Sequence, residues 1–192
     1  MTSRGELDRK FIAAVERLGR ALRFARQQIA TTHKISLLQL QVIELLAAVG
    51  SRRVGELASE LDVTQPTVSD ALAALEQKGV LQRERDASDG RATVVVLSGS
   101  GLALAKKLAT ELDPLLDARR ATDDDEQAMA LRMLLEEIRR LQVDGVITVN
   151  RSCLTCRHYR PPNRPDTGHC RFLDVQLADR DLRVDCSDHL AP

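Results

Sequence analysis

Residues 54–101 read VGELASELDVTQPTVSDALAALEQKGVLQRERDASDGRATVVVLSGSG. Val54 to Leu61 has the composition of a short helix, and the tight connection DVT follows it. The next helix opens with Gln65 and Pro66, with Thr64 as its cap. Proline is tolerated there because the N–H it lacks would have no partner inside the helix anyway. Val68, Leu72 and Leu75 give this second helix one apolar stripe, and Gly79 stops it. Two helices joined by three residues make a helix-turn-helix. Beyond Gly79, VLQRE and ATVVVLS alternate as strands, joined by the turn-rich RDASDG. A helix-turn-helix followed by a small hairpin is a winged helix.

Long helices flank this unit on both sides. Leu7, Phe11, Val15, Leu18, Leu22, Ala25 and Ile29 recur at spacings of three and four, so residues 6–32 read as one amphipathic helix. Its apolar face is too long for a small winged helix to cover, so a second copy of the chain is expected against it. Residues 36–48 form a second helix, capped by Ser36 and ended by Gly50. Residues 100–120 continue in helical pattern, with Pro114 expected to kink or break it. The run DDDE at residues 123–126 places carboxylates at the positive end of a last helix. Met129, Met133, Leu134, Ile138 and Leu141 form the apolar face of that helix, and Gly145 ends it.

Composition narrows the function classes. Aromatic residues make up 2% of the 192-residue chain, which argues against a base-stacking platform for single strands. Formal net charge is zero, so any contact with DNA must come from a local patch. No run of eighteen apolar residues and no leader-like start appears, so a cytoplasmic location without membrane association is expected. No H-E-x-x-H, glycine-rich phosphate loop or G-x-S-x-G occurs, so no enzymatic reaction is expected.

A helix-turn-helix puts the N-terminal side chains of its second helix into the major groove. Here those are Gln65, Thr67, Ser69 and Asp70. Glutamine can pair with adenine through two hydrogen bonds, and hydroxyls can reach bases or phosphates. Arg83, Arg85 and Arg91 lie in or beside the wing, where they can meet phosphate or the minor groove. Glu84, Asp86 and Asp89 offset them in sequence and are expected to orient them through salt bridges.

The span Ile35–Gly101 resembles the MarR family of winged-helix regulators, and with the helices around it the resemblance covers roughly residues 6–142. That resemblance implies a dimer built by the terminal helices, binding palindromic DNA and often repressing. By position, Gln65, Thr67 and Ser69 resemble recognition-helix residues, and Arg91 in DGR resembles the wing-tip arginine. Asp70 stands where the family often carries a basic residue. Many members sense phenolic or lipophilic ligands, but no residue here identifies one.

Residues 151–192 change character, with four prolines and all four cysteines. The spacing is Cys153-x2-Cys156-x13-Cys170-x15-Cys186, and His189 follows Cys186 at x2 as an alternative ligand. With little apolar content, this segment is expected to need a staple. Four thiolates can hold Zn2+ or an iron–sulfur cluster, and redox thiols are a third reading. His158 and His169 are weaker ligand candidates, and His33 reads as a surface or interface residue.

The expected fold is therefore mainly α with a small β-wing: a winged helix-turn-helix with long dimerisation helices and a short metal-stapled C-terminal segment. The expected divisions are 1–34 for the N-terminal dimerisation helix, 35–101 for the DNA-binding domain, 102–145 for the helices completing the dimer region, and 151–192 for the metal-binding segment. The expected function is a homodimeric transcriptional regulator, a repressor, that binds double-stranded DNA at a pseudo-palindrome. Its zinc or iron–sulfur site would be structural or sensory. The alternative is a metal-stapled interaction module without sequence-specific DNA binding.

Overall fold

A computed structural model describes residues 4–86, 89–112, 122–162 and 167–191. Helices α1 (Arg4–Thr32), α2 (Leu37–Val49), α3 (Val54–Glu60) and α4 (Gln65–Gln77) come first. Strands β1 (Leu81–Arg85) and β2 (Thr93–Leu97) follow, then α5 (Gly99–Leu112) and α6 (Asp124–Val143). The expected kink at Pro114 lies outside the described residues.

Local chemistry sets most of these boundaries. Ser36 caps α2 reciprocally: its Oγ accepts from the Gln39 N–H at 3.1 Å, and the Gln39 side chain accepts from the Ser36 N–H at 3.1 Å. Gly50 ends α2 at φ 78°, a conformation that favours glycine. Asp123 caps α6 by accepting from the N–H groups of Asp125 and Glu126.

The main core is aliphatic and lies between α2, α3, α4, β2 and α5. Leu40, Ile43, Leu57, Val68, Leu72, Leu75, Val95 and Leu108 are fully buried there. Strands β1 and β2 pair antiparallel, with Leu81 opposite Leu97 and Arg85 opposite Thr93. Arg52 adds a bridge to β2: its N–H donates to Val95 O at 3.2 Å, and the Val95 N–H donates to Arg52 O at 2.8 Å. At the base of the wing, Gly101 of α5 presses against the Val80 carbonyl. A β-carbon there would stand 2.1 Å from that oxygen.

Only the end of α1 joins this core, through Ala30 and Ile29. His33, just past α1, is not a plain surface residue: its Nε2 lies 2.9 Å from Glu111 of α5. The earlier part of α1 leaves Leu7, Ile12, Val15, Leu18 and Leu22 exposed. On α6, Met129, Met133 and Leu141 are also exposed.

The C-terminal segment departs from expectation. It forms a three-stranded antiparallel sheet of β3 (Tyr159–Arg160), β4 (Gly168–Cys170) and β5 (Val175–Leu177), with short 3-10 turns at Cys153–Thr155 and Asp179–Asp181. It also has a small core: Cys153, Tyr159, Leu177 and Leu182 pack with Leu135 of α6, and Leu131, Leu154, Cys156 and Cys170 lie at the edge. Phe172, Leu173, Val175 and Val184 of the segment are exposed. Arg132 to Asp179 at 2.7 Å and Arg180 to Asp125 at 2.6 Å fasten the segment to α6.

This packing corrects the expectation of a metal staple. Among the described residues, no group of three or more His, Cys, Asp or Glu is set to hold a metal ion. Cys153, Cys156, Cys170 and Cys186 are unbridged thiols. Burial pushes the Cys153 thiol up, and the neighbouring cysteines push the same way against the Arg183 N–H that opposes them. Cys153 is buried against Leu135, Tyr159, Leu177 and Leu182, where it packs as a small hydrophobe. The Cys153 sulfur accepts from the Arg183 N–H at 3.2 Å, and the Arg183 guanidinium lies 3.6 Å from the Cys186 sulfur. His189, the alternative ligand, turns Nε2 to Thr155 instead, 3.0 Å from its carbonyl and 3.1 Å from its hydroxyl. The zinc and iron–sulfur assignments, structural or sensory, are withdrawn together with the metal-binding extension.

Candidate nucleic-acid interface

The N-terminal turn of α4 stands free of the core, because Val68, Ala71, Leu72 and Leu75 turn the opposite face inward. Gln65, Pro66 and Thr67 are exposed, as is Asp70, while Ser69 is half-buried. Thr64 caps the helix: its Oγ1 accepts from the Thr67 N–H at 3.4 Å and lies 2.8 Å from the Thr67 hydroxyl. Thr67 is thereby fixed by the cap rather than left to rotate. Gln65 lies over Gly55 of α3, its Nε2 2.8 Å from where a β-carbon on Gly55 would stand. Gly55 was missed in the sequence. Its signal is a glycine inside a helix, where the residue costs stability and often marks a close approach.

The wing supplies the basic groups. Arg83 and Arg85 project from β1 and are exposed, and Arg91 is exposed at the turn before β2. Arg83 leans back on the recognition helix, its Nε 3.3 Å from Glu76 of α4. The wing's acids do not follow expectation. Arg53, just ahead of α3, holds Asp86 through Nε at 2.9 Å and Nη2 at 2.5 Å, and lies 3.6 Å from Asp89. Hydrogen bonding to Asp86 raises the pKa of the Arg53 guanidinium. Glu84 accepts from the Gln82 amide at 2.8 Å. Asp89 also accepts from the Arg91 N–H at 3.2 Å, which shapes the turn without taking the guanidinium. The sequence reading missed Arg53, because nothing in local spacing shows that residue 53 meets residue 86.

The structure thus brings Gln65 and Thr67 to one exposed helix end, with Arg83, Arg85 and Arg91 on the adjoining hairpin. Such a surface has hydrogen-bonding side chains at a helix N-terminus, where the dipole favours anions, and cations beside it. No helix among the described residues is long and apolar enough to cross a membrane.

Comparison with known proteins agrees with the winged-helix fold. A profile of the MarR family matches residues 33–92. An HTH-type transcriptional regulator of Mycobacterium bovis is 34% identical over 109 residues, 57% of this chain and 73% of that protein. Another, from Mycobacterium leprae, is 38% identical over 93 residues, 48% of this chain, which spans 62% of that relative's length. Among solved structures, a MarR-family regulator from Silicibacter pomeroyi superposes with a TM-score of 0.59 at 22% identity, over 67% of this chain and 87% of that one. The S. aureus protein MepR in its DNA-binding conformation gives a TM-score of 0.58 at 22% identity, over 67% and 95%. At such identities the structures speak for the fold alone. With the sequence relatives and the family profile beside them, the winged helix places this chain in the MarR family of helix-turn-helix regulators, which are not enzymes.

Proposed function

We propose that the protein is a homodimeric transcriptional regulator, a repressor, that reads a pseudo-palindromic site in double-stranded DNA. The observation that carries this reading is the exposed N-terminal turn of α4 beside an arginine-bearing wing. Gln65, Thr67 and Ser69 read bases or fix the helix on the backbone. Arg83, Arg85 and Arg91 neutralise phosphate. Residues 35–101 act as the DNA-binding domain, and residues 1–34 with 102–145 as the dimer region. The exposed stripe of α1 supports the dimer: Leu7, Val15, Leu18 and Leu22 face water along one helix, and a two-fold partner would cover them. The protein works in the cytoplasm, a reducing compartment consistent with its unbridged cysteines.

The test is selection from a random duplex library, followed by fluorescence anisotropy at several salt concentrations. The expected product is a pseudo-palindrome with half-sites about one helical turn apart. Arg91→Ala should weaken binding to all probes and reduce the salt slope by about 1. Gln65→Ala should change the preferred sequence. Light scattering should give twice the chain's 21.2 kDa. Failure to enrich any duplex would refute the DNA reading, and a monomer mass would refute the dimer.

A further inference from the structure

Glu60, the last residue of α3, has both carboxylate oxygens occupied. Arg52 Nε donates to Oε1 at 3.0 Å, and Arg151 Nη2 donates to Oε2 at 2.5 Å. The three side chains are nearly closed to solvent, at 17% for Arg52, 10% for Glu60 and 12% for Arg151. Ion pairs this enclosed differ from an exposed surface pair such as Lys10 with Glu6 on α1, because removing one partner leaves a poorly solvated charge behind.

Each member belongs to a different part of the molecule. Arg52 is bonded through its backbone to Val95 of β2, so it is part of the wing sheet. Glu60 is the end of the first helix of the helix-turn-helix, four residues ahead of the cap Thr64. Arg151 belongs to the C-terminal segment, and its carbonyl accepts from the Cys186 N–H at 3.1 Å, near the far end of that segment. Thr148 reaches the same helix end, its hydroxyl donating to Ser59 O at 3.4 Å. Thr148 also borders the hollow formed by Gly55, Thr64 and Gln65, beside the start of the recognition helix.

We propose that Arg151 and Glu60 are positioning residues for the DNA-reading surface. The C-terminal segment holds Glu60, Glu60 holds Arg52, and Arg52 holds β2, so docking of the segment sets the wing relative to α3 and α4. The proposal rests on the DNA-binding reading for its consequence but not for its mechanics. Within this chain it makes the segment beyond α6 a control element for the winged helix. Anything that loosens the segment should loosen the wing, and by reciprocity DNA on the wing should steady the segment.

The test uses the full chain and three variants, Arg151→Gln, Arg151→Lys and Glu60→Gln. Amide hydrogen exchange without DNA reads the mechanics. In Arg151→Gln, the Val95 amide, bonded to Arg52, should exchange about tenfold faster, while the Leu72 amide in α4 keeps its parent rate. Arg151→Lys, which keeps the charge, should restore the Val95 rate at least in part. On selected DNA, Arg151→Gln and Glu60→Gln should each bind about five- to a hundredfold more weakly, and the double variant no worse than the weaker single. If Arg151→Gln proves unstable, the parent alone still decides: added DNA should slow exchange of the Cys186 amide. An unchanged Val95 rate in a folded Arg151→Gln variant overturns the proposal. So does a Cys186 amide indifferent to bound DNA. If the parent enriches no duplex, the functional reading fails, and the Val95 result still judges the coupling separately.

Discussion

Gly101→Ala, in α5 at the base of the wing, should be strongly destabilising. Gly101 is buried where α5 passes under the wing, and a β-carbon there would sit 2.1 Å from Val80 O and 3.3 Å from Leu97 Cβ. A comfortable carbon contact is about 3.5 Å, so α5 and Val80 must separate by more than 1 Å, roughly, at a backbone atom that cannot rotate away. Overpacking of this kind costs about 1–3 kcal/mol. The Val80 carbonyl also accepts from the Ser98 N–H at 3.0 Å and the Ser98 hydroxyl at 3.1 Å, and straining these adds about 1 kcal/mol. Alanine's better helix propensity returns at most about 1 kcal/mol. The net loss is about 1–4 kcal/mol, which for a chain of this size lowers Tm by roughly 2–16 °C. Differential scanning calorimetry, or circular dichroism at 222 nm, would measure it. Gly99→Ala is the control: it lies two residues away at the start of α5, with nothing within 4 Å of its built β-carbon, and should leave Tm within about 2 °C. A Gly101→Ala protein melting within about 1 °C of the parent would refute the packing argument, because no soft side chain is available to absorb the clash.

Thr64→Ala should cost about 1 kcal/mol by removing the cap of α4, and it should weaken DNA binding more than that loss alone, since Thr67 is held by the same hydroxyl; urea titration and anisotropy together check both. Leu72→Ala, at a site with 1% exposure beneath the recognition helix, should cost about 2–5 kcal/mol in urea unfolding. Stability should also fall on mild acidification. Burial depresses His189 below its usual 6.5, so the unfolded chain takes up a proton that the folded chain refuses. That contribution is fully present above about pH 6.5 and is lost as pH falls through the folded value. His189→Asn should flatten the drop in urea midpoint between pH 7.5 and 5.5, taken as roughly one unit either side of the ordinary histidine pKa, and an equal drop in both proteins would count against it.

Caps and periodicity were legible along the chain because their partners lie within one turn. Ser36 with Gln39, Thr64 with Thr67, and Asp123 with Asp125 are each separated by two or three residues. The winged helix, the terminal amphipathic helices and the exposed end of α4 could therefore be read locally. The stripe of α1 could also be read, because a period of 3.6 identifies a buried face wherever its cover comes from. What the stripe could not show is how little of it this chain covers itself, namely the stretch around Ile29 and Ala30.

The cysteines mark the opposite case. Their spacing records distance along the chain, and four thiols in a segment poor in helix suggested a metal. The protonation state and setting of a thiol depend on what folds around it. Leu135 of α6 and Tyr159, Leu177 and Leu182 bury Cys153, and no metal-holding group forms among the described residues. The ion pairs linking Arg53 to Asp86 and Arg151 to Glu60 join residues 33 and 91 positions apart. Charged residues at such separations meet only after the chain has folded, when burial excludes the water that would otherwise solvate each alone. The sequence by itself determined the helices, the wing and the face that reads outward, through bonds made within a few residues. Only the tertiary structure decided how the C-terminal segment closes on α3 and which charges hold the wing, because those contacts are selected by desolvation among residues far apart in the chain.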